Sequence, residues 1–412
     1  MEMLYPHCAG LDVHKNTVVA CVRHCGPKGA VRQSIRTFST MTRDLLALSD
    51  WLAREGVTQV AMESTGVYWK PVFNILEGRF SVMLVNAQHI KQVPGRKTDV
   101  ADCEWIAQLL QHGLLKASFV PPAPQRELRE LTRQRTRLVQ QQAAVVNRVQ
   151  KVLEDANIKL GSVASDVLGV SGRAMLEALI AGEESPKKLA NLARRRLREK
   201  LPLLRQALRG HVTEHHRFLL RLLLDQLDQL EALIARLSAR IEEKLAPFSA
   251  EIERLTTIPG VKQRTAEAVL AEVGSDMRIF PSADHLASWA GMCPGNHESA
   301  GKRRSGRTRQ GNRWLRQALT QAAWAASHTK NTYLAAQYRR LSGRRGKKRA
   351  LVAVGHTLLG VIYHLLTKQT VYADLGADHF DRLHPERLTR YLVQRLEHLG
   401  HKVILQPAGD AA

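Results

Sequence analysis

Lys97-Thr98-Asp99-Val100-Ala101-Asp102-Cys103-Glu104-Trp105-Ile106-Ala107 is the stretch whose reading decides the fold. The spacing predicts an amphipathic helix over 99–112, with Trp105, Ile106, Leu109 and Leu110 on its apolar side. Asp99 and Asp102 are three residues apart, and positions i and i+3 share a helix face, so both carboxylates point at one spot. Two earlier acids close apolar, β-rich runs: Asp12 in Gly10-Leu11-Asp12-Val13-His14-Lys15 and Glu63 in Val60-Ala61-Met62-Glu63-Ser64-Thr65-Gly66. Two acids from strand ends and two from a helix face make a hard, all-oxygen ligand set. Mg²⁺ prefers such a set, with substrate phosphate completing it. Taken singly, each acid also reads as a solvated strand end, a turn cap or a first-turn charge that suits the helix dipole. Their order together favours the metal site.

Around these acids the chain alternates. Leu11 to Val22 reads as one or two strands, Arg32 to Thr37 as another, and Thr42 to Glu55 as a helix. Val57 to Met62 is a buried-type strand, Tyr68 to Leu76 a short helix and Val82 to Val85 a strand. Strands first, then strands alternating with helices, is a three-layer α/β order. The four acids and their phrases, Gly10 to Lys15, Glu63 to Gly66 and Lys97 to Asp102, resemble the DEDD form of the RNase H-like, RuvC-type nuclease fold. In detail they resemble the N-terminal domain of one bacterial transposase family, insertion-sequence family one-hundred-and-ten, the bridge-RNA-guided recombinases. The resemblance implies that Asp12, Glu63, Asp99 and Asp102 are catalytic and hold Mg²⁺.

Charge points the same way. Lys and Arg number 61 against 38 acids, for a net +23 over 412 residues. A chain this basic suits a polyanion, and nucleic acid leads over a membrane surface. No apolar run approaches the about 20 residues that span a bilayer, so no membrane partner is expected. The N-terminus lacks the charged and apolar regions of a signal peptide. Five scattered cysteines, Cys8, Cys21, Cys25, Cys103 and Cys293, fit free thiols in a reducing cytoplasm. Cys21, His24 and Cys25 have no second Cys/His pair to complete a zinc site.

Pro121-Pro122-Ala123-Pro124 marks a boundary, giving a first domain over 1–120. The middle, 121–250, carries two heptad tracks. One runs Leu128, Leu131, Leu138, Val145, Val149, Val152, with Arg135 and Gln142 at core positions. The other runs Leu220, Leu223, Leu227, Leu230, Ile234, Leu237, Ile241. They read as coiled-coil arms, packed on each other within the chain or on another subunit. The connector between them holds Arg194-Arg195-Arg196, a candidate nucleic-acid contact.

The third domain, 251–368, is mostly helical. Leu255 to Val261 with Thr265 to Leu270 resembles a helix-hairpin-helix, in which Gly260 and the next helix start offer N–H groups to phosphate. Gly295-Asn296-His297-Glu298-Ser299-Ala300-Gly301-Lys302 then leads into Arg303-Arg304-Ser305-Gly306-Arg307-Thr308-Arg309, ahead of Arg313. From Ser299 to Ala350 there are fifteen Lys/Arg and no acid. Arginines clamp phosphate oxygens and stabilise transition-state charge, so Lys302, Arg303, Arg304, Arg307, Arg309 and Arg313 are candidate contacts. His297 is a candidate base. The loop resembles the same family's serine loop, and the carried-over nucleophile is Ser299, with Ser305 as competitor. Many members have glycine directly after that serine, where Ala300 stands here. Trp314, Trp324 and the helix 315–327 read as core, and Leu351 to Leu366 as a helix packed beneath. In the tail, 369–412, the pattern predicts a helix over 378–399 and a strand over 401–405, without a role.

The resemblance implies a cytoplasmic, nucleoid-associated bacterial enzyme that cuts and rejoins donor and target DNA through a phosphoserine link. It also implies a structured guide RNA and assembly as a homodimer or homotetramer. The alternative is a structure-selective junction endonuclease with the four acids but no covalent intermediate.

Overall fold

The structure, a computed structural model, describes residues 3–26, 30–64, 66–87, 90, 102–295 and 297–406. The chain divides into two compact units, Met1–Pro121 and Pro122–Ala412.

In the first unit β1 (His7–Val13), β2 (Thr17–Cys25) and β3 (Val31–Ser39) form an antiparallel meander. Then α1 (Thr42–Arg54) leads to β4 (Gln59–Glu63), and α2 (Trp69–Leu76) to β5 (Ser81–Val85). Both later strands run parallel to β1, giving the order β3-β2-β1-β4-β5. α3 (Asp102–Gln111) follows. The Leu11 to Val22 stretch is therefore two strands, turning at His14–Asn16.

Residue alternation assigns the two faces of the sheet. Ala9, Leu11, Val13, Val60 and Met62 pack with Leu45, Leu48 and Leu52 of α1 and Val72 and Leu76 of α2. Cys8 and Ala61 face the other way, onto Trp105, Ile106, Leu109 and Leu110 of α3. Burying each of those four side chains contributes about 1.5–3 kcal/mol. Cys21 meets Cys103 and Ala107 on the same side. α3 lies so close that a Cβ on Gly10 would stand 2.3 Å from the Cys103 carbonyl oxygen and 2.4 Å from the Ala107 nitrogen. Only glycine admits that approach.

In the second unit α4 (Ala123–Asp155) starts behind Pro122. Short helices α5 (Leu160–Val163), α6 (Val170–Ile180), α7 (Pro186–Asn191) and α8 (Leu201–Ala207) lead to α9 (Glu214–Leu245). The two heptad tracks pack on each other within the chain. Leu138, Val145, Val149 and Leu153 meet Leu220, Leu224, Leu227, Leu230 and Ile234, together with apolar residues of the short helices, whereas Val152 and Leu223 of the expected tracks are only partly buried. The pair is antiparallel: Lys244 bonds Glu127 at 2.7 Å and Gln142 bonds Glu231 at 3.2 Å.

Beyond the pair come α10 (Ser249–Thr256), α11 (Gln263–Val273) and α12 (Ala283–Trp289). The hairpin β6 (His297–Ser299) and β7 (Lys302–Ser305) precedes α13 (Arg313–Ser327), α14 (Tyr333–Arg345) and α15 (Lys347–Lys368). α15 passes the length and composition test for a bilayer span, against the expectation from the sequence. In this fold Val354, Leu358, Leu359, Ile362 and Leu365 put one side of it in the core. Trp324 is not core: it is 52% exposed, because the buried stripe of α13 runs Leu315, Leu319, Ala322, Ala323 and Ala326. The tail forms two helices, α16 (His379–Leu383) and α17 (Pro385–His398), because Pro385 interrupts a continuous one. Residues 401–406 form no strand.

Candidate active site

Asp12 and Glu63 stand at matching heights on neighbouring parallel strands. Leu11 pairs with Met62 in the β1–β4 register, and the two acids are the next residues along. Adjacent strands lie about 4.8 Å apart. Gly10 and Ala61, two residues earlier on each strand, face α3, so alternation puts both carboxylates on the α3 face. Asp102 is the first described residue of α3, at the helix end that these strands point towards. Burial pushes the Cys103 thiol up to about 11, with the negative charges of Glu104 and Asp12 adding to the effect. Asp12 thus acts electrostatically on the residue beside Asp102. Asp99 lies outside the described residues. Among those described, no three His, Cys, Asp or Glu side chains are gathered closely enough to hold a metal ion.

His14 was not singled out by the spacing argument, yet its Nε2 lies 3.1 Å from Asp12 Oδ2. His14 lies just past the end of β1, in the turn that leads to β2, so strand alternation gave no signal for it.

The serine loop is built in the second unit. His297–Ser299 pairs with Lys302–Ser305 across a turn whose central residues, Ala300 and Gly301, have φ of +51° and +72°. Two positive-φ residues are the signature of a tight type I′ turn. Ser299 is the last paired residue before it, at the hairpin tip; its side chain and those of His297, Arg303 and Arg304 lie outside the described set. Ser305 sits at the base, where its hydroxyl accepts the Arg307 N–H at 3.2 Å.

Glycines hold the base of this excursion. A Cβ on Gly311 would stand 2.4 Å from the Gly291 nitrogen, and one on Gly295 would stand 2.3 Å from the Arg307 carbonyl oxygen. Asn312 ends the loop and starts α13: its Oδ1 accepts the N–H groups of Trp314 and Leu315. Its Nδ2 donates to buried Glu272 at 2.6 Å. Glu272 also takes a bidentate clamp from Arg133 of α4, 2.7 Å on each arm. Arg135 pairs with Glu267 at 2.6 Å nearby, both buried. Buried ion pairs of this kind position groups more than they stabilise. Lone acids in the apolar run Ala266 to Val273, opposite an arginine-rich helix, were the overlooked signal for this support.

Lys302, Arg307 and Arg309 are exposed and have no acid partner among the described residues. The Arg313 guanidinium lies over the Trp314 ring, 4.7 Å from its centre. Gly260, with φ of +85°, is pressed on α13: a Cβ there would meet the Ala322 carbonyl oxygen at 2.3 Å. The fold itself therefore requires that glycine. Arg194, Arg195 and Arg196 line an open cleft beside the start of α6.

Residues 9–158 match the family described as DEDD transposases, and residues 252–339 match the family described as transposase IS116/IS110/IS902. A probable family 20 transposase of Pseudomonas aeruginosa is 30% identical over 320 residues, 76% of this chain and 85% of that one. The transposase for insertion sequence element IS1111A of Coxiella burnetii is 26% identical over 294 residues, 70% of this chain and 72% of that one. A pilin gene-inverting protein of Moraxella bovis is 31% identical over 115 residues, 27% of this chain and 35% of that one. A two-part match to family profiles, and a relative covered over most of its length, make this chain a member of the IS116/IS110/IS902 transposase family, an enzyme that moves or recombines DNA.

Proposed function

We propose that the chain cuts and rejoins DNA through a serine–DNA covalent intermediate, with Mg²⁺ held by Asp12, Glu63, Asp99 and Asp102, under the direction of a structured guide RNA. The observation that carries this reading is the shared face and height of Asp12 and Glu63, with the start of α3 beside them. The strand order, an antiparallel meander joined to two parallel strands, supports an RNase H-like, RuvC-type first unit. The donor set, all carboxylate oxygens, fits a hard divalent cation. When bound, such a cation lowers the pKa of an attacking hydroxyl and polarises a phosphoryl oxygen.

The residues of this chain divide the remaining work. The Ser299 hydroxyl loses its proton and its oxygen bonds phosphorus as one P–O bond to the sugar breaks. The departing sugar oxygen takes up a proton, and the phosphodiester is stored as phosphoserine. Lys302, Arg303, Arg304, Arg307, Arg309 and Arg313 hold phosphate oxygens and offset the charge that grows on them. A new sugar hydroxyl then displaces the serine. The Moraxella relative's name speaks of gene inversion, and inversion requires rejoining as well as cutting, which favours the recombinase over the junction endonuclease. Working on both donor and target DNA, the enzyme acts as a dimer or tetramer in the bacterial cytoplasm.

The test is adduct trapping on labelled element-end DNA with co-purified RNA, resolved under denaturing conditions. Wild type gives a protein–DNA adduct; Ser299→Ala gives none, and Ser305→Ala keeps it. Asp12→Ala and Asp102→Ala each lower cleavage by 10³-fold or more, on the order expected for loss of metal-ion catalysis. Strand cleavage by Ser299→Ala at the wild-type rate would establish the endonuclease instead.

A further inference from the structure

The tail is docked on the second unit. Asp374 accepts the N–H groups of Tyr333 and Gly376 at 3.0 and 2.7 Å and the Tyr372 hydroxyl at 3.1 Å. Phe380 of α16 stacks on Tyr333 with ring centres 5.2 Å apart, and the Arg340 guanidinium covers the Phe380 ring at 5.1 Å. These contacts leave an open cleft of about 750 Å³ between α14 and the tail helices. Arg339 and Arg344 line it from α14, and Arg387 and Tyr391 from α17.

The lining has a definite chemistry. Among the described residues, Arg339, Arg344 and Arg387 have no acid within ion-pair distance, and Asp381 is the one acid in the wall. Phe380 is already covered by Tyr333 and Arg340, so the rings left open in the wall are the His384 imidazole and the larger Tyr391, 54% exposed. Guanidinium groups take phosphate oxygens in pairs, and an open aromatic ring takes the face of an unpaired base. A duplex offers phosphates but no free base face. The residues matched to the transposase family end at 339, so nearly all of this cleft lies beyond that match.

We propose that the cleft between α14 and the tail binds a single-stranded nucleotide segment, one base stacked on Tyr391 and the flanking phosphates held by Arg339, Arg344 and Arg387. The site is separate from the serine hairpin and depends on neither the serine chemistry nor the metal.

The full-length protein in EDTA, where strand cleavage is blocked, is mixed with a 12-nucleotide strand carrying one 5-iodouracil, as RNA in one arm and DNA in the other. After irradiation the cross-linked peptide is identified by mass spectrometry. The expected cross-link falls on the α17 peptide containing Tyr391. Arg339→Glu with Arg387→Glu, both at exposed positions, weakens binding at least tenfold and lowers the slope of log affinity against log salt by about 1.4, two phosphates at about 0.7 each. Tyr391→Ala weakens binding roughly tenfold and Tyr391→Phe leaves it intact. The stronger arm names the natural strand. Cross-links confined to 299–316, an unchanged salt slope in the double variant, or equal competition by a duplex of the same sequence would overturn the proposal.

Discussion

At Ala300 the backbone has a φ of +51°, in a turn where the following glycine has +72°. An alanine there carries a steric penalty of about 1 kcal/mol that glycine does not. Ala300→Gly is expected to slow amide exchange across β6 and β7 by roughly threefold to fivefold, about 1 kcal/mol less the extra chain entropy of glycine. Faster exchange in the variant would contradict the turn assignment. The buried thiols supply a second prediction. Burial pushes Cys8 and Cys103 up to about 11 and Cys21 up to about 12, from an ordinary 9.0. A raised acid is held protonated in the folded state, so its contribution is complete below pH 9 and is lost as pH rises through 11 to 12. The urea midpoint of the first unit should therefore fall across pH 9–12. At pH 8 an alkylating reagent should modify partly exposed Cys25 and spare Cys8, Cys21 and Cys103 until urea is added.

Elements were legible where burial is periodic. The strands of the first unit and its helices were readable because both faces of the central strands are apolar, and α1 and α3 show apolar residues every three to four positions. The β6–β7 hairpin was not readable. Its residues are glycine, arginine and serine, and backbone contacts at Gly291, Gly295 and Gly311 hold it, which leave no hydrophobic pattern. Trp324 misled for a related reason: a large aromatic suggests core, but helical phase places it off the stripe that packs. The candidate acids were legible by type and order, while His14 beside Asp12 emerged only with strand pairing. The seating of α3 on β1 yields a prediction at this scale. Gly10→Ala puts a methyl 2.3 Å from a backbone oxygen, so α3 must lift or the strand must shift. A loss of about 3 kcal/mol or more is expected, measured by urea unfolding of the first unit. Gly78→Ala, which meets nothing within 4 Å, is the control and should change stability by less than about 0.5 kcal/mol.

The molecule as a whole divides at Pro121/Pro122, and each side carries its own hydrophobic clusters. Residues 122–412 expressed alone are therefore expected to keep a helical circular-dichroism spectrum and unfold cooperatively. Loss of that cooperativity would show that the second unit needs the first. The partnership of α4 with α9 inside one chain could not be chosen from heptads alone, since the same apolar stripes suit a second subunit equally well. Within this chain the two helices are joined by the pairs Glu127 with Lys244 and Gln142 with Glu231. One consequence concerns the serine hairpin. Its footing includes main chain packed against main chain at Gly291, Gly295 and Gly311. Any side chain larger than hydrogen at Gly291, Gly295 or Gly311 would therefore jack the two main-chain strands of that footing apart and displace whatever the tip carries.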